Sequence, residues 1–345
     1  MFVRWDNLRI EEDEGTRLPG YREPATVRHF DAPEALDTRF YEVRAKSALN
    51  KVPERSAMPF RWTVNPYRGC SHACVYCYAR PTHTYLGFNA GRDFEKEIVV
   101  KVNVPEVLRA ELGRPSWKRE HVALGTNTDP YQWVESRYKL MPGIWEALRD
   151  AANPCSVLTK SPLLLRDLPL LQEIAARTSV TANLSVPTLD VTAWRASEPH
   201  TPHPRARLEA VAELNRAGIR TGVLVAPLMP GINDDPRQVD AILQAATEAG
   251  ATGVAGAALH LRGEVRGVFM EWLRAYRPDL VEHYEALYRR GAYAPAAERE
   301  RLIDLLTREG HAPAAPFRRG PSALRELVPG ADPRPEEVVE QPALF

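Results

Sequence analysis

Cysteine is scarce in this chain, with four residues in 345, too few to staple a domain of this length with disulfides. Net charge is missing too. Forty-five Lys and Arg balance 45 Asp and Glu, so no overall field draws the molecule to nucleic acid, and only a local basic groove could do so. No apolar stretch approaches a membrane span, and Met1-Phe2-Val3-Arg4-Trp5-Asp6 carries no apolar signal core. These absences give the expectation of a cytoplasmic protein with no membrane partner. No G-x-G-x-x-G follows the first strand candidate, so nothing favours a dinucleotide-binding open sheet. No internal repeat is present either. What remains is 44% apolar and 26% charged, a globular composition with length for one large core or two ordinary ones.

Three of the four cysteines stand together, in Asn65-Pro66-Tyr67-Arg68-Gly69-Cys70-Ser71-His72-Ala73-Cys74-Val75-Tyr76-Cys77-Tyr78-Ala79-Arg80. The spacing is C-x3-C-x2-C. Three thiolates can hold three irons of a 4Fe–4S cubane and leave the fourth iron open for chemistry. Alternatively they form a zinc site with His72 or His83 as fourth ligand, or are buried thiols with no ligand role. Zinc ligands usually come as two separated pairs, and no second pair exists here. Cys155 begins the apolar run Cys155-Ser156-Val157-Leu158-Thr159 and reads as core.

Residues 1–55 are polar, weakly periodic and punctuated by Gly and Pro, which reads as an irregular extension with a short helix at Pro33–Leu36. From about Phe60 the pattern changes to β-branched runs alternating with helical stretches. Strands are expected at Arg61–Asn65, Ile98–Val102, Val122–Gly125, Ser156–Thr159, Val180–Val186, Thr221–Ala226 and Gly253–Leu259. Helices are expected at Glu106–Leu112, Ile144–Ala151, Leu163–Arg177, Arg205–Ala217 and from Asp235 to Ala249, several opened by Pro and closed by Gly. Such alternation predicts an α/β fold of right-handed βαβ units, with about six units if Ile98–Val102 stands apart. Residues 263–310 read as amphipathic helices, and 311–345, rich in Pro, Arg and Glu, as disordered.

The cysteine spacing, with Tyr76 just before the third cysteine, resembles the radical S-adenosylmethionine (radical SAM) superfamily. The longer string NPYRGC-HxC-YCYAR is similar to its small branch related to spore photoproduct lyase. The resemblance implies a partial (β/α)6 TIM-like parallel barrel over residues 56–262, with the cluster loop after the first strand. It implies Cys70, Cys74 and Cys77 as ligands of a 4Fe–4S cluster. It also implies SAM as cofactor, cleaved reductively to methionine and a 5′-deoxyadenosyl radical, and a reductase such as flavodoxin or ferredoxin as electron source.

Every motif follows a strand candidate, at the end where a parallel barrel carries its functional loops. By resemblance Tyr76 packs near the adenine and Lys160 holds the carboxylate of SAM. The family's Gly-Gly-Glu-like run is missing, and Thr126, Asn127, Thr128 and Asp129 stand in for it. Asn183 and Ser185, alternate residues on one strand face, are placed to meet the ribose or methionine. From the residues alone, Lys160 is equally a strand-end lysine paired with a carboxylate, and Thr126–Asp129 an Asp-Pro turn with a helix cap. Glu198-Pro199-His200, with Arg205 and Arg207, resembles the family's substrate-side loop, and Ala226–Asp235 reads as a proline-punctuated lid. His260 reads as structural.

The resemblance implies action on nucleic acid, as in DNA repair. Spore photoproduct lyase relies on a cysteine hydrogen donor, however, and Cys155 should lie at the wrong end of the barrel. Tyr78, Tyr85 and Tyr131 are alternative donors. Two other functions stay open: radical chemistry on a protein or small molecule, and a non-catalytic metal-binding protein. The last six residues, Glu340-Gln341-Pro342-Ala343-Leu344-Phe345, resemble the peptide by which repair proteins dock on the DNA sliding clamp, through Gln341, Leu344 and Phe345.

Overall fold

The computed structural model describes residues 8–10, 16–30, 37–53, 56 and 58–307. Its strands are β1 (Leu8–Ile10), β2 (Thr26–Phe30), β3 (Arg39–Val43), β4 (Leu49–Lys51), β5 (Trp62–Val64) and β6 (Tyr67–Arg68). They continue as β7 (Glu97–Lys101), β8 (Val122–Leu124), β9 (Cys155–Thr159), β10 (Val180–Ser185), β11 (Arg220–Leu228) and β12 (Val254–Ala258). One sheet runs β12-β11-β10-β9-β8-β5-β4, and a second runs β1-β2-β3-β7-β6.

In the large sheet β5, β8, β9, β10, β11 and β12 are all parallel to their neighbours. Only β4, on the edge, runs antiparallel. These are the six units expected of the partial barrel. β8 and β10 are buried at every position, and β10 hides even the polar half of its alternation, Thr181, Asn183 and Ser185. Helices between the strands pack outside. Pro204–Arg216 and Pro236–Glu248 each begin with proline, and the Asp235 carboxylate caps the second by accepting from the amides of Arg237 and Gln238. Trp145, Leu148, Val157, Leu184 and Val223 join one core between helices and sheet.

The expected strand near Ile98–Val102 is β7, which stands apart from the six barrel strands and pairs with β3 (Tyr41 opposite Val99) and β6 (Tyr67 opposite Val100). The pattern and the structure differ in two places. The N-terminal region carries β2, β3 and β4, strands of three to five residues, too short to show a period. The expected helix Leu163–Arg177 divides into a 3₁₀ turn, Pro162–Asp167, and a helix, Leu168–Ala175, because Pro169 cannot continue the hydrogen-bond ladder. The Pro33–Leu36 helix and the tail from residue 308, including Gln341, Leu344 and Phe345, lie outside the described residues.

Helices Val265–Tyr276, Val281–Leu287 and Ala296–Asp304 follow the barrel. Phe269, Leu273, Tyr284 and Tyr288 form a separate apolar cluster with Met229, Leu259, Cys74 and Tyr76. The C-terminal helices therefore back onto the cysteine loop. Among the described residues no helix is long and apolar enough to cross a membrane.

Candidate active site at the cysteine loop

The cysteine loop leaves β5 and is gripped from several sides. Gly69 has φ +80°, and a Cβ there would come within 2.9 Å of His83, Ile98 and the Phe94 carbonyl, so this position requires glycine. The Cys70 amide donates to Phe94 O at 2.9 Å. Backbone turns then link Ala73 to Cys70 at 3.2 Å, Cys77 to Cys74 at 3.2 Å and Arg80 to Cys77 at 3.3 Å, setting the cysteines one turn apart. Arg80 is wholly buried; it donates to the carbonyls of Cys74 (3.0 Å), Ala73 (3.1 Å), Ala90 (3.2 Å) and Gly91 (2.9 Å), and pairs with Glu95.

A second grip comes from the loop after β8. The Thr128 hydroxyl donates to Tyr67 O at 3.0 Å. Gln132 accepts from the Ser71 amide at 2.9 Å and donates to Gly69 O at 3.2 Å. Asp129 accepts from the Thr159 hydroxyl (2.6 Å) and the Lys160 amide (2.7 Å), and lies 3.3 Å from His72 Nδ1. Burial opposes a charge on His72, yet Asp129 and Cys70 raise its pKa to about 10. Thr128 and Asp129 thus hold the cysteine loop, while Thr126 and Asn127 beside them are half-buried.

An ionic group lies beside the loop, on the ends of β9 and β10 and the segment between two helices. Lys160 Nζ reaches Glu198 Oε1 at 2.9 Å and Ser185 Oγ at 2.6 Å, and sits 5.7 Å from the centre of the Tyr76 ring. Arg207 donates to Glu198 Oε2 at 2.6 Å and to Ser185 O at 2.8 Å. The Tyr76 hydroxyl also donates to Glu198. Glu198 and Arg207 are fully buried. Burial pushes the Glu198 pKa up, but Arg207 and Lys160 outweigh it and bring it down to about 2, so it is a carboxylate at neutral pH. Two cations then face one anion, leaving one positive charge unmatched. The group is close enough to Cys74 for Glu198 and Lys160 to act on its thiol, and the Val75 amide donates to Ser197 O at 3.1 Å.

Asn183 shares a strand face with Ser185, two residues on, and is 8% exposed, with its Oδ1 lacking any hydrogen-bond partner. A buried acceptor without a donor is costly unless something fills it. An unmatched cation and an unfilled acceptor together suit a ligand with one carboxylate and one ammonium, which is the amino-acid end of SAM.

The thiols suit a cluster better than a single ion. Among the described residues no three His, Cys, Asp or Glu side chains converge on one metal position. A cubane does not require that, since each thiolate takes a different iron. His83 lies behind Gly69, its Nε2 against Glu97 O at 2.8 Å and its ring on Phe94, so it is not placed as a fourth zinc ligand, whereas His72 bonds both Asp129 and Cys70. Burial pushes the Cys77 thiol up to about 11 and holds Cys74 well above the ordinary thiol range, so both stay protonated at neutral pH unless a cation replaces the proton.

The family model for the radical SAM superfamily matches residues 64–242. The chain belongs to the radical SAM superfamily. It is 52% identical over 290 residues to an uncharacterized protein of Mycobacterium tuberculosis, covering 84% of this chain and 85% of the relative. A protein of Acidianus two-tailed virus is 29% identical over 210 residues, 59% of this chain and 68% of its own. Among solved structures, a spore photoproduct lyase variant matches with TM-score 0.58 and 16% identity over 78% of this chain and 77% of its own. Another, with bound AdoMet and dinucleoside spore photoproduct, matches with TM-score 0.57 and 15% identity over 77% and 76%. As a radical SAM enzyme the chain takes a 4Fe–4S cluster and SAM as cofactors, and it needs a reductant.

Arg80 and Gln132 grip the cysteine loop through its backbone carbonyls and amides, contacts that no residue spacing in the sequence marks. Glu198, the centre of the ionic group, follows the helix Val191–Ser197, whose seven residues are too few to show a helical period. Cys155 begins β9, has no exposed surface and packs in the main core.

Proposed function

We propose that this radical SAM enzyme cleaves SAM reductively and directs the radical at a nucleic acid, in a repair-like reaction. A cluster held by Cys70, Cys74 and Cys77 would supply the one-electron reduction that cleaves bound SAM. The chain's own residues orient the cofactor. Lys160 has three ammonium protons and uses two, on Glu198 and Ser185, so the third is available for the SAM carboxylate. Asn183 Oδ1 accepts from the ammonium, Tyr76 lies under the same mouth near the adenine, and Ser185, Thr126 and Asn127 border the methionine and ribose. Cysteines Cys70, Cys74 and Cys77 ligate the irons.

The observation that carries this proposal is the unmatched positive charge beside the orphan Asn183 acceptor, next to the cysteine loop. Lys160→Ala removes that charge and leaves the neutral Glu198–Arg207 pair, so the fold should tolerate it. Loss of a charge-assisted hydrogen bond, about 1.5–3 kcal/mol, predicts SAM affinity weaker by roughly ten- to a hundredfold. Equilibrium binding on the reconstituted variant measures it, and wild-type affinity would remove Lys160 from the site.

Nucleic acid is favoured as substrate because a protein of this fold, spore photoproduct lyase, is seen with a dinucleoside photoproduct bound. With Cys155 buried at the start of its strand, hydrogen return would use another donor, for which Tyr78, Tyr85 and Tyr131 are the candidates. Anaerobic reconstitution, with deoxyadenosine measured in the presence and absence of damaged DNA, tests the substrate. No DNA binding and no stimulation would move the radical to a protein or small molecule. For the tail, Gln341, Leu344 and Phe345 are proposed to dock on the sliding clamp. Equal retention of wild type and Leu344→Ala/Phe345→Ala by purified clamp would discard that contact.

A further inference from the structure

We infer that Tyr78, His260 and Tyr293 form a stacking platform for an unpaired nucleobase, making single-stranded nucleic acid the ligand of this rim. The inference rests on the nucleic-acid reading above and deepens it. Tyr78 follows Cys77 directly, and its hydroxyl donates to Thr126 O, fixing the ring. Its ring lies 5.8 Å from His260 at 34°, and His260 lies 5.7 Å from Tyr293 at 24°. Arg299 sits 5.9 Å from the Tyr293 ring centre. Backbone pairing holds the far side in register: His260 bridges Tyr293, and the Leu261 amide donates to Ala292 O at 2.7 Å.

This stack is not core packing. Only four large hydrophobic residues among those described stand exposed, and three are tyrosines near this rim or on the helix that follows the cysteines: Tyr85 at 54%, Tyr78 at 46% and Tyr293 at 38%. Rings held by backbone contacts and left open to solvent are preorganised for a flat partner, and every base presents such a face. Burial and the neighbouring Arg262 lower the His260 pKa, so it stacks as a neutral ring.

The same rim continues into an open cavity of about 840 Å³, whose lining includes Gly263, Arg266, Arg274 and Arg289 along with Glu264 and Glu285. A Cβ on Gly263 would stand 4.0 Å from Pro81, three residues after Tyr78, and Gly263 itself follows His260 by three residues. Arginines there can track a phosphate backbone. The balanced charge of the chain, 45 against 45, gives no broad field for duplex DNA, whereas stacking requires a base out of its pair.

The test uses the reconstituted full-length protein and a single-stranded oligonucleotide carrying 2-aminopurine, whose fluorescence is quenched on stacking. Wild type should bind and quench, and should bind the matching duplex more weakly. Tyr293→Leu keeps apolar bulk without an aromatic face; it should lose the quenching and bind roughly tenfold more weakly, while Tyr293→Phe keeps both. Thermal melting confirms that the variants fold, and His260→Leu provides a second removal of a ring from the stack. Unchanged quenching in both leucine variants would overturn the platform and leave the nucleic-acid reading standing. A wild type that binds neither single strand nor duplex would overturn both.

Discussion

Cys77→Ala should yield a colourless protein with iron at background and no deoxyadenosine from SAM under reduction. Each thiolate holds one iron, so two remaining cysteines cannot keep a cubane whose fourth iron is open. The loss should be specific to the cluster. The loop does not depend on Cys77 for its shape, because Arg80 holds the carbonyls of Ala73 and Cys74, and Gln132 and Thr128 hold Ser71, Gly69 and Tyr67. Without iron, burial keeps Cys77 a neutral thiol at neutral pH, with its pKa up to about 11, so alanine removes no charge. The melting temperature of the iron-free chain should therefore hardly move. Cys155→Ala provides the contrast: it opens a small cavity in the main core, lowers stability by about 1 kcal/mol and leaves the iron content intact. Iron and sulfide analysis with chromatography of the SAM products reads both. Deoxyadenosine surviving in Cys77→Ala, or a wild type reconstituting only with zinc, would sink the assignment.

The barrel was legible because its strands are buried parallel runs flanked by Pro-opened, Gly-closed helices. Val122–Leu124 announces itself by composition and Val180–Ser185 by its period-two alternation. The second sheet was not legible, since β2, β3 and β4 are shorter than any window that detects a period, and nothing in β7 names its partners. Its pairing with β3 and β6 depends on contacts far apart in the chain. The site divides the same way. Cys70, Cys74 and Cys77 are readable because their spacing is local, and Lys160 and Ser185 because they end strands. Glu198 reads from the sequence only as part of a substrate-side loop, because its role as the buried partner of Lys160, 38 residues away by the numbering, and of Arg207 is set by the barrel. The platform needs an even longer return, from Tyr78 to Tyr293 through two of the C-terminal helices.

Glu198→Gln should be the most destabilising single change in the ionic group, because it strands two cations rather than removing one. Arg207 is fully buried, with Glu198 its carboxylate partner at 2.6 Å, and Lys160 is mostly buried. Removing the anion from a buried pair costs about 3–5 kcal/mol. The titration gives a consistent figure. The Glu198 pKa falls from 4.5 to about 2; burial opposes this fall, and Arg207 and Lys160 overcome it. A drop of that size corresponds to about 3 kcal/mol of folding stability. Because the folded value lies below the ordinary one, the contribution is complete above about pH 4.5 and is lost as pH falls toward 2. Urea unfolding of the iron-free wild type and Glu198→Gln, compared at each pH, should show a constant gap near neutrality that closes in acid. Lys160→Ala makes the control: it leaves a neutral pair, so its gap should be smaller than that of Glu198→Gln. A Glu198→Gln variant as stable as wild type at neutral pH would mean that solvent already reaches the pair. The positive charge assigned to the SAM carboxylate would then have no buried setting.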